Sequence, residues 1–183
     1  SPPTATLATS ASSVSEDGSN LTLTATLSIS TYEAVTVTLG SIGTATEGTD
    51  YAAISNITIS AGATTGTAVF NPTDDNMYET ATAEIVGVAI TGVSGGGATK
   101  SGAQVVSIDI NDNDTAPTVT ISSSASSVGE GDSDLTLTAT LSNPTHETVT
   151  VSIDGTTGSA SEGSDFAVVS DIEITTGNTT GTA

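Results

Sequence analysis

The side chains of this sequence that could do chemistry are almost all carboxylates. The 183 residues include 21 Asp and Glu, no Cys, one His (His146) and one basic residue (Lys100). The acidic residues gather in short clusters rather than along the alternating apolar segments. In the first 116 residues the clusters are Glu16 and Asp17, Glu47 and Asp50, Asp74, Asp75 and Glu79, and Asp109, Asp112 and Asp114.

Clusters of this kind are typical of sites for hard cations. Ca²⁺ takes about six to eight oxygen ligands, and a set of ligands without nitrogen or sulfur favours Ca²⁺ or Mg²⁺ over Zn²⁺ or Cu²⁺. The densest cluster has three Asp and two Asn in the six positions 109–114, shortly before Pro117. This segment predicts a calcium-bound junction. The alternative is a set of solvated acidic turns.

The formal net charge of −20 excludes several classes of function. Proteins that bind nucleic acids or anionic membranes use Lys and Arg, which are nearly absent here. With one Lys, one His and no Cys, only a carboxylate pair could carry catalysis. Glycosidases use such pairs within an aromatic-lined cleft, whereas aromatic residues make up 3% of this chain. We predict that the protein is not an enzyme and that His146 lies in a surface loop.

The chain contains an internal repeat. Residues 11–28 match residues 125–142 at 14 of 18 positions, and residues 46–68 align with residues 161–183. We therefore predict two domains, a complete one at 1–116 and an incomplete one at 117–183 that lacks counterparts of residues 69–116. We expect that the sequence is cut from a longer chain; the alternative is that another subunit supplies the missing strands.

Alternation of apolar residues with Thr or Ser predicts β-strands in each repeat. Leu21, Leu23, Ala25 and Leu27 alternate with three threonines, which is typical of a strand with one buried face. Turn-forming clusters of Gly, Asn, Asp and Pro separate about seven such segments. The sequence therefore predicts an all-β fold, an antiparallel β-sandwich in tandem repeats. The predicted strands of the first repeat lie near 4–8, 21–27, 35–39, 57–59, 66–71, 81–91 and 104–110.

Four segments of the first repeat resemble the Calx-β domain, an immunoglobulin-like β-sandwich found in tandem in extracellular and bacterial surface proteins. They read SVSEDGSNLTLTATLS, GTATEGTDYAAISNITISAGATTGTAVF, DDNMYET and SIDINDND. The resemblance implies calcium ligands at one end of the sandwich. By position these are Glu16, Asp50, Asp74, Asp75, Glu79, Asp112 and Asp114, with Glu130 and Asp165 as matching residues in the second repeat. Asn113 stands in the middle of the terminal acidic triplet and lowers the charge of that site.

The leading hypothesis is a calcium-binding structural repeat of a large extracellular surface protein, adhesin or filament. Ca²⁺ would stiffen the ends and junctions of the domains. The expected partners are calcium ions, adjacent repeats of the same chain and other copies of it in a filament, with no nucleic acid and no membrane insertion. The first alternative is a calcium-regulated sensor module. The second is a self-assembling filament subunit completed by strands from a neighbouring chain.

Overall fold

The structure is a computed structural model that describes residues 1–80, 83–155 and 158–183. Its regular elements are all β-strands, as the alternation of apolar residues predicted, and no helix lies in these ranges. No helix long and apolar enough to cross a membrane is therefore found there. The strands are β1 Thr4–Thr9, β2 Ser13–Ser15, β3 Leu21–Leu27, β4 Val35–Gly43, β5 Ile57–Ile59, β6 Thr65–Phe70, β7 Glu84–Ser94, β8 Thr99–Lys100, β9 Val105–Asn111, β10 Val119–Ser123, β11 Leu137–Leu141, β12 Val149–Val151, β13 Ile172–Ile174 and β14 Thr180–Thr182.

The contacts between residues divide the chain into two compact units. Unit 1 consists of Ser1–Asp75 and Ala81–Asn113, and unit 2 consists of Asn76–Thr80 and Asp114–Ala183. The first two residues of the strand predicted at 81–91 lie outside the described residues.

Unit 1 is a sandwich of two sheets. One sheet has the strand order β6-β3-β1-β8 and the other has the order β2-β9-β7-β4-β5. Most neighbours are antiparallel, whereas β1–β8 and β2–β9 are parallel. A change of register between Thr38 and Leu39 marks an irregularity in the β4–β7 pair.

The inward faces of these sheets form the core of unit 1. On β3 the leucines and Ala25 are buried, while Thr22 and Thr26 on the opposite face are exposed, as the period of two requires. Tyr51 and Phe70 stack within this core with their ring centroids 5.2 Å apart. The fully buried strand residues include Leu23, Val35, Val37, Val88 and Ile108.

Unit 2 repeats part of the same architecture. Its sheets are β10-β11-β14 and β12-β13, and its buried core consists of Ala139, Leu141, Ile172 and Ile174. The segment Asn76–Thr80 belongs to this unit, where Tyr78 forms a parallel bridge with Thr145. The N–H of Tyr78 donates to the carbonyl of Pro144 at 3.0 Å, and the N–H of His146 donates to the carbonyl of Tyr78 at 3.0 Å.

Candidate metal centre

The parallel pairing of β2 with β9 brings together acidic residues that lie about a hundred positions apart. Val14 lies opposite Ile110, and Ser15 lies opposite Asn111. The ladder continues by one hydrogen bond, from the N–H of Glu16 to the carbonyl of Asn111, at 3.1 Å. The strand ends therefore place the side chain of Glu16 beside the acidic segment that follows β9.

Three carboxylates converge at this point. Glu16, Asp112 and Asp114 each offer an oxygen, and these oxygens lie within 4.8 Å of one another. Glu16 is only 7% exposed, and the two aspartates are half-buried. Oε2 of Glu16 and Oδ2 of Asp114 are buried atoms. Because burial weakens the screening of like charges by water, three ionised carboxylates this close favour a bound cation.

The chemistry of these donors fits a hard divalent cation. Three carboxylates supply oxygen only, and each can bind through one or both of its oxygens, as calcium sites commonly require. No histidine or cysteine belongs to the cluster, so its donors are poorly suited to Zn²⁺ or Cu²⁺. When bound, a calcium ion would offset most of the negative charge of the three carboxylates and tie the end of β2 to the segment after β9.

Asp74 lies beside this segment but not within the group of three. Its Oδ1 accepts a hydrogen bond of 3.2 Å from Nδ2 of Asn113, the residue between Asp112 and Asp114. Asp74 and Asp75 are both exposed. The amide of Asn113 thus contacts one of the carboxylates that the resemblance identified as ligands.

The other two predicted ligands of the first repeat have different surroundings. Asp50 is half-buried and accepts a hydrogen bond from the N–H of Thr46, which closes a turn. Oε1 of Glu79 lies 3.2 Å from Nδ1 of His146, within unit 2, and Glu79 is 18% exposed. The group of three carboxylates includes neither residue.

In the second repeat the two predicted ligands are exposed. Oδ2 of Asp165 accepts a hydrogen bond of 2.7 Å from the N–H of Ser161, in a turn like that of Asp50. Glu130, the counterpart of Glu16, lies in an exposed turn. Neither residue belongs to a group of three convergent ligands among the described residues.

Sequence reasoning missed Glu84. This residue begins β7 opposite Ile110 of β9, and its Oε2 is a buried atom. It therefore lies at the same end of the sheet as Asn111 and Asp112. The available signal was its position: Glu84 is the only charged residue of β7 and starts that strand, directly after the acidic segment 74–79.

Comparison with known proteins gives a consistent family assignment. The Calx-beta domain matches residues 1–106 and again residues 112–180. Among curated protein sequences, none matches this chain significantly.

The fold also resembles solved structures. The crystal structure of the apo form of the Calx CBD1 domain is 16% identical with a TM-score of 0.50, and the match covers 61% of this chain and 99% of that domain. CBD12 from CALX1.2 is 16% identical with a TM-score of 0.49, over 93% of this chain and 71% of that one. A two-domain protein of unknown function from Bacteroides fragilis is 10% identical with a TM-score of 0.45, over 82% and 68%.

The first of these structures supports the β-sandwich fold, and the two family matches cover almost the whole sequence. This chain belongs to the Calx-beta domain family, of which it carries two tandem copies.

Proposed function

We propose that this chain is a calcium-binding structural repeat of an extracellular surface protein. The observation that carries the proposal is the convergence of carboxylate oxygens from Glu16, Asp112 and Asp114 within 4.8 Å. Calcium is the expected ligand because the family is a calcium-binding one and the donors are all oxygen. The boundaries that we propose for the two domains are 1–116 and 117–183.

The structural role follows from where the carboxylates lie along the chain. Glu16 follows β2, whereas Asp112 and Asp114 follow β9, so one ion would cross-link the two ends of the first repeat's sequence. The last two ligands also immediately precede the second repeat. We propose that calcium stiffens this segment, as expected for a spacer in a tandem array. The strongly acidic composition supports partners that are cations and an extracellular, calcium-rich location.

We also propose that the chain has no catalytic activity. The carboxylates that converge have the all-oxygen chemistry that suits a metal ion. The side chain of the single histidine contacts Glu79, with Nδ1 of His146 3.2 Å from Oε1 of Glu79, and, among the described residues, not a nucleophilic hydroxyl. The partners that we propose are calcium ions and adjacent repeats of the same chain.

The test is calcium-dependent thermal unfolding of the full chain with a matched pair of variants. Glu16→Gln removes a carboxylate from the cluster, and Glu130→Gln makes the same change at the equivalent position of the second repeat. At calcium 100 times its Kd, binding to the folded state alone stabilises it by about 2.7 kcal/mol. We expect the shift in Tm of unit 1 in the parent chain and in Glu130→Gln, and its loss in Glu16→Gln.

An equal calcium shift in both variants would contradict the site, and no shift in the parent chain would contradict calcium binding. The affinity separates the structural role from the sensor role. Sensor sites bind calcium in the micromolar range or below, whereas extracellular structural modules bind near millimolar concentrations. We expect the weaker range for this chain, measured by isothermal titration calorimetry.

A further inference from the structure

The loop between β11 and β12 of unit 2 binds a segment from an earlier part of the chain. We call residues 142–147 the acceptor loop and Asn76–Thr80 the donor segment. The carbonyl of Pro144 accepts from the N–H of Tyr78 at 3.0 Å, and the N–H of His146 donates to the carbonyl of Tyr78 at 3.0 Å. The contact is therefore made by backbone groups, which any residue other than proline could supply at position 78.

Unit 1 contains an equivalent loop, residues 28–33, with the same internal hydrogen bonds. The hydroxyl of Thr31 donates to the carbonyl of Glu33 at 2.6 Å, as the hydroxyl of Thr145 does to the carbonyl of Glu147 at 2.6 Å. The carbonyl of the same threonine accepts from a glycine N–H, at 2.7 Å in unit 1 and 3.0 Å in unit 2. Because unit 1 forms these bonds without a donor segment, the loop is shaped by its own unit.

The backbone edge of the loop in unit 1 is exposed. Tyr32, the equivalent of His146, is 104% exposed. Neither its N–H nor the carbonyl of Ser30 has a backbone partner among the described residues. Ser30 is exposed, whereas its counterpart Pro144 is half-buried, and Ile29 directly before it is an exposed apolar side chain. Unit 1 therefore presents the donor and the acceptor that the donor segment uses in unit 2.

The glycine-rich loop after β7 does not cover this edge. Gly96 packs against the side chain of Thr31, where a Cβ on the glycine would lie 2.7 Å from the threonine. The carbonyl of Thr31 is bonded to Gly62. Because the groups of successive residues in an extended chain point to opposite sides, the carbonyl of Ser30 and the N–H of Tyr32 face the other way.

We propose that residues 28–33 are the docking site for a Tyr78-type segment of another Calx-beta repeat, the one placed directly before unit 1 in a tandem array. This inference rests on the proposed role of the chain as a repeat of such an array. A preceding repeat is favoured over a separate molecule because the donor segment precedes its acceptor loop along the chain. In a separate copy of this chain the donor segment is already bound to its own acceptor loop.

The occupant would pair through its main chain. The N–H of its tyrosine would donate to the carbonyl of Ser30, and the carbonyl of the same tyrosine would accept from the N–H of Tyr32. Each repeat would then hold the next through one such contact. This is a head-to-tail arrangement, which can continue along an array of any length.

The test extends the chain by one repeat. Residues 1–114 are added before Ser1, which gives Tyr78 of the added repeat the same separation along the chain from Tyr32 as Tyr78 has from His146. Ligation of the unlabelled repeat to the ¹⁵N-labelled 183-residue chain keeps the identical sequences distinguishable by NMR. We expect hydrogen exchange at Tyr32 to slow by about fivefold or more, as one backbone hydrogen bond would produce. His146 is the internal reference for a bound loop.

Two variants of the added repeat give the matched control. Tyr78→Pro removes the N–H that would bond to Ser30, and we expect most of the protection at Tyr32 to be lost. Tyr78→Ala keeps both backbone groups and should retain that protection. Tyr78→Pro in the 183-residue chain itself should speed exchange at His146, which shows that this proline disrupts a loop known to be bound.

Unchanged exchange at Tyr32 in the extended chain would overturn the proposal. Equal loss of protection in both Tyr78 variants would also overturn it, because the contact would then depend on the ring rather than on the backbone. Protection of Tyr32 that grows with the concentration of the 183-residue chain would assign the site to a separate molecule instead. The calcium shift in Tm is measured independently of this amide, so a failure here leaves the test of the metal site intact.

Discussion

The two repeats place nearly identical sequences in different structural settings. The segment LTLTATL occurs at 21–27 and at 135–141, yet it forms seven strand residues in unit 1 and only the last five in unit 2. Leu23 is fully buried, whereas its counterpart Leu137 is half-buried. The same seven residues are therefore buried to different extents in the two units.

The same comparison at β2 isolates the effect of a pairing partner. In unit 1 Ser13–Ser15 pairs in parallel with β9 and Val14 is buried. The equivalent residues 127–129 form no strand, and Val128 is exposed. Because Glu16 is held by this pairing and Glu130 is not, the sheet that forms the core also brings together the three convergent carboxylates.

Not every feature differs between the repeats. The packing of β5 against β6, which lie in different sheets of unit 1, recurs in unit 2 as the packing of β13 against β14. Gly66 and Gly181 occupy the same place, where a Cβ would lie 2.6 Å from the carbonyl oxygen of Thr58 and 2.3 Å from that of Glu173 respectively. Features that depend on residues present in both repeats are therefore retained.

The largest expected difference concerns the leucine of the central strand. Leu23→Ala empties a fully buried position, and we expect it to lower the free energy of unfolding of unit 1 by about 2–5 kcal/mol. Leu137→Ala removes the same atoms from a half-buried position, so its cost to unit 2 should be clearly smaller. Denaturant unfolding followed by residue-resolved NMR reports the two units separately.

Leu27→Ala and Leu141→Ala serve as the control pair, because these leucines are 2% and 3% exposed. The substitutions should have similar costs in the two units. Equal costs at Leu23 and Leu137 would contradict the account, since they would mean that the difference in burial between these leucines does not change the free energy of unfolding.

The next prediction concerns the close packing at Gly66 and Gly181, which the two repeats share. Gly66→Ala and Gly181→Ala each bring a Cβ against a backbone carbonyl, which cannot rotate away as a side chain can. We expect each to destabilise its own unit by about 1–3 kcal/mol, as overpacking does.

Gly62→Ala and Gly177→Ala are less suitable controls because their positive φ adds strain of its own. Ser60→Ala, at an exposed position beside β5, should change little. A large cost at Gly66 with none at Gly181 would contradict the shared packing.

The sequence predicted most of the strands. Whether a strand could be predicted depended on how strong its local pattern of apolar residues is. Strands β3 and β4 have strict alternation over several residues, so their faces follow from local pattern alone. Strands β2 and β8 have three and two residues and carry no such pattern. They form because β9 and β1 offer them an edge, which is information from distant parts of the chain.

The candidate site was predictable to a similar degree. The acidic motifs identified Glu16, Asp112 and Asp114, and the pairing of β2 with β9 explains why they converge. Motif reasoning could not show that Glu79 contacts His146, because the association of residues 76–80 with unit 2 depends on backbone groups of residues 144–146. Glu84 was missed because a single glutamate at a strand start has no motif around it.

The smallest expected effect concerns the association of residues 76–80 with unit 2. His146 donates its N–H to Tyr78, while Tyr32, the equivalent residue of the first repeat, is fully exposed and its N–H makes no such bond among the described residues. His146→Pro removes this donor, and we expect a loss of about 0.5–1.5 kcal/mol in unit 2 and faster hydrogen exchange at Tyr78. Tyr32→Pro makes the same backbone change and should cost unit 1 less. His146→Tyr keeps the N–H and replaces the partly exposed imidazole whose Nδ1 contacts Glu79, a change expected to cost at most about 1 kcal/mol. Unchanged exchange at Tyr78 in His146→Pro would show that the ring of Tyr78, rather than its backbone, holds the segment.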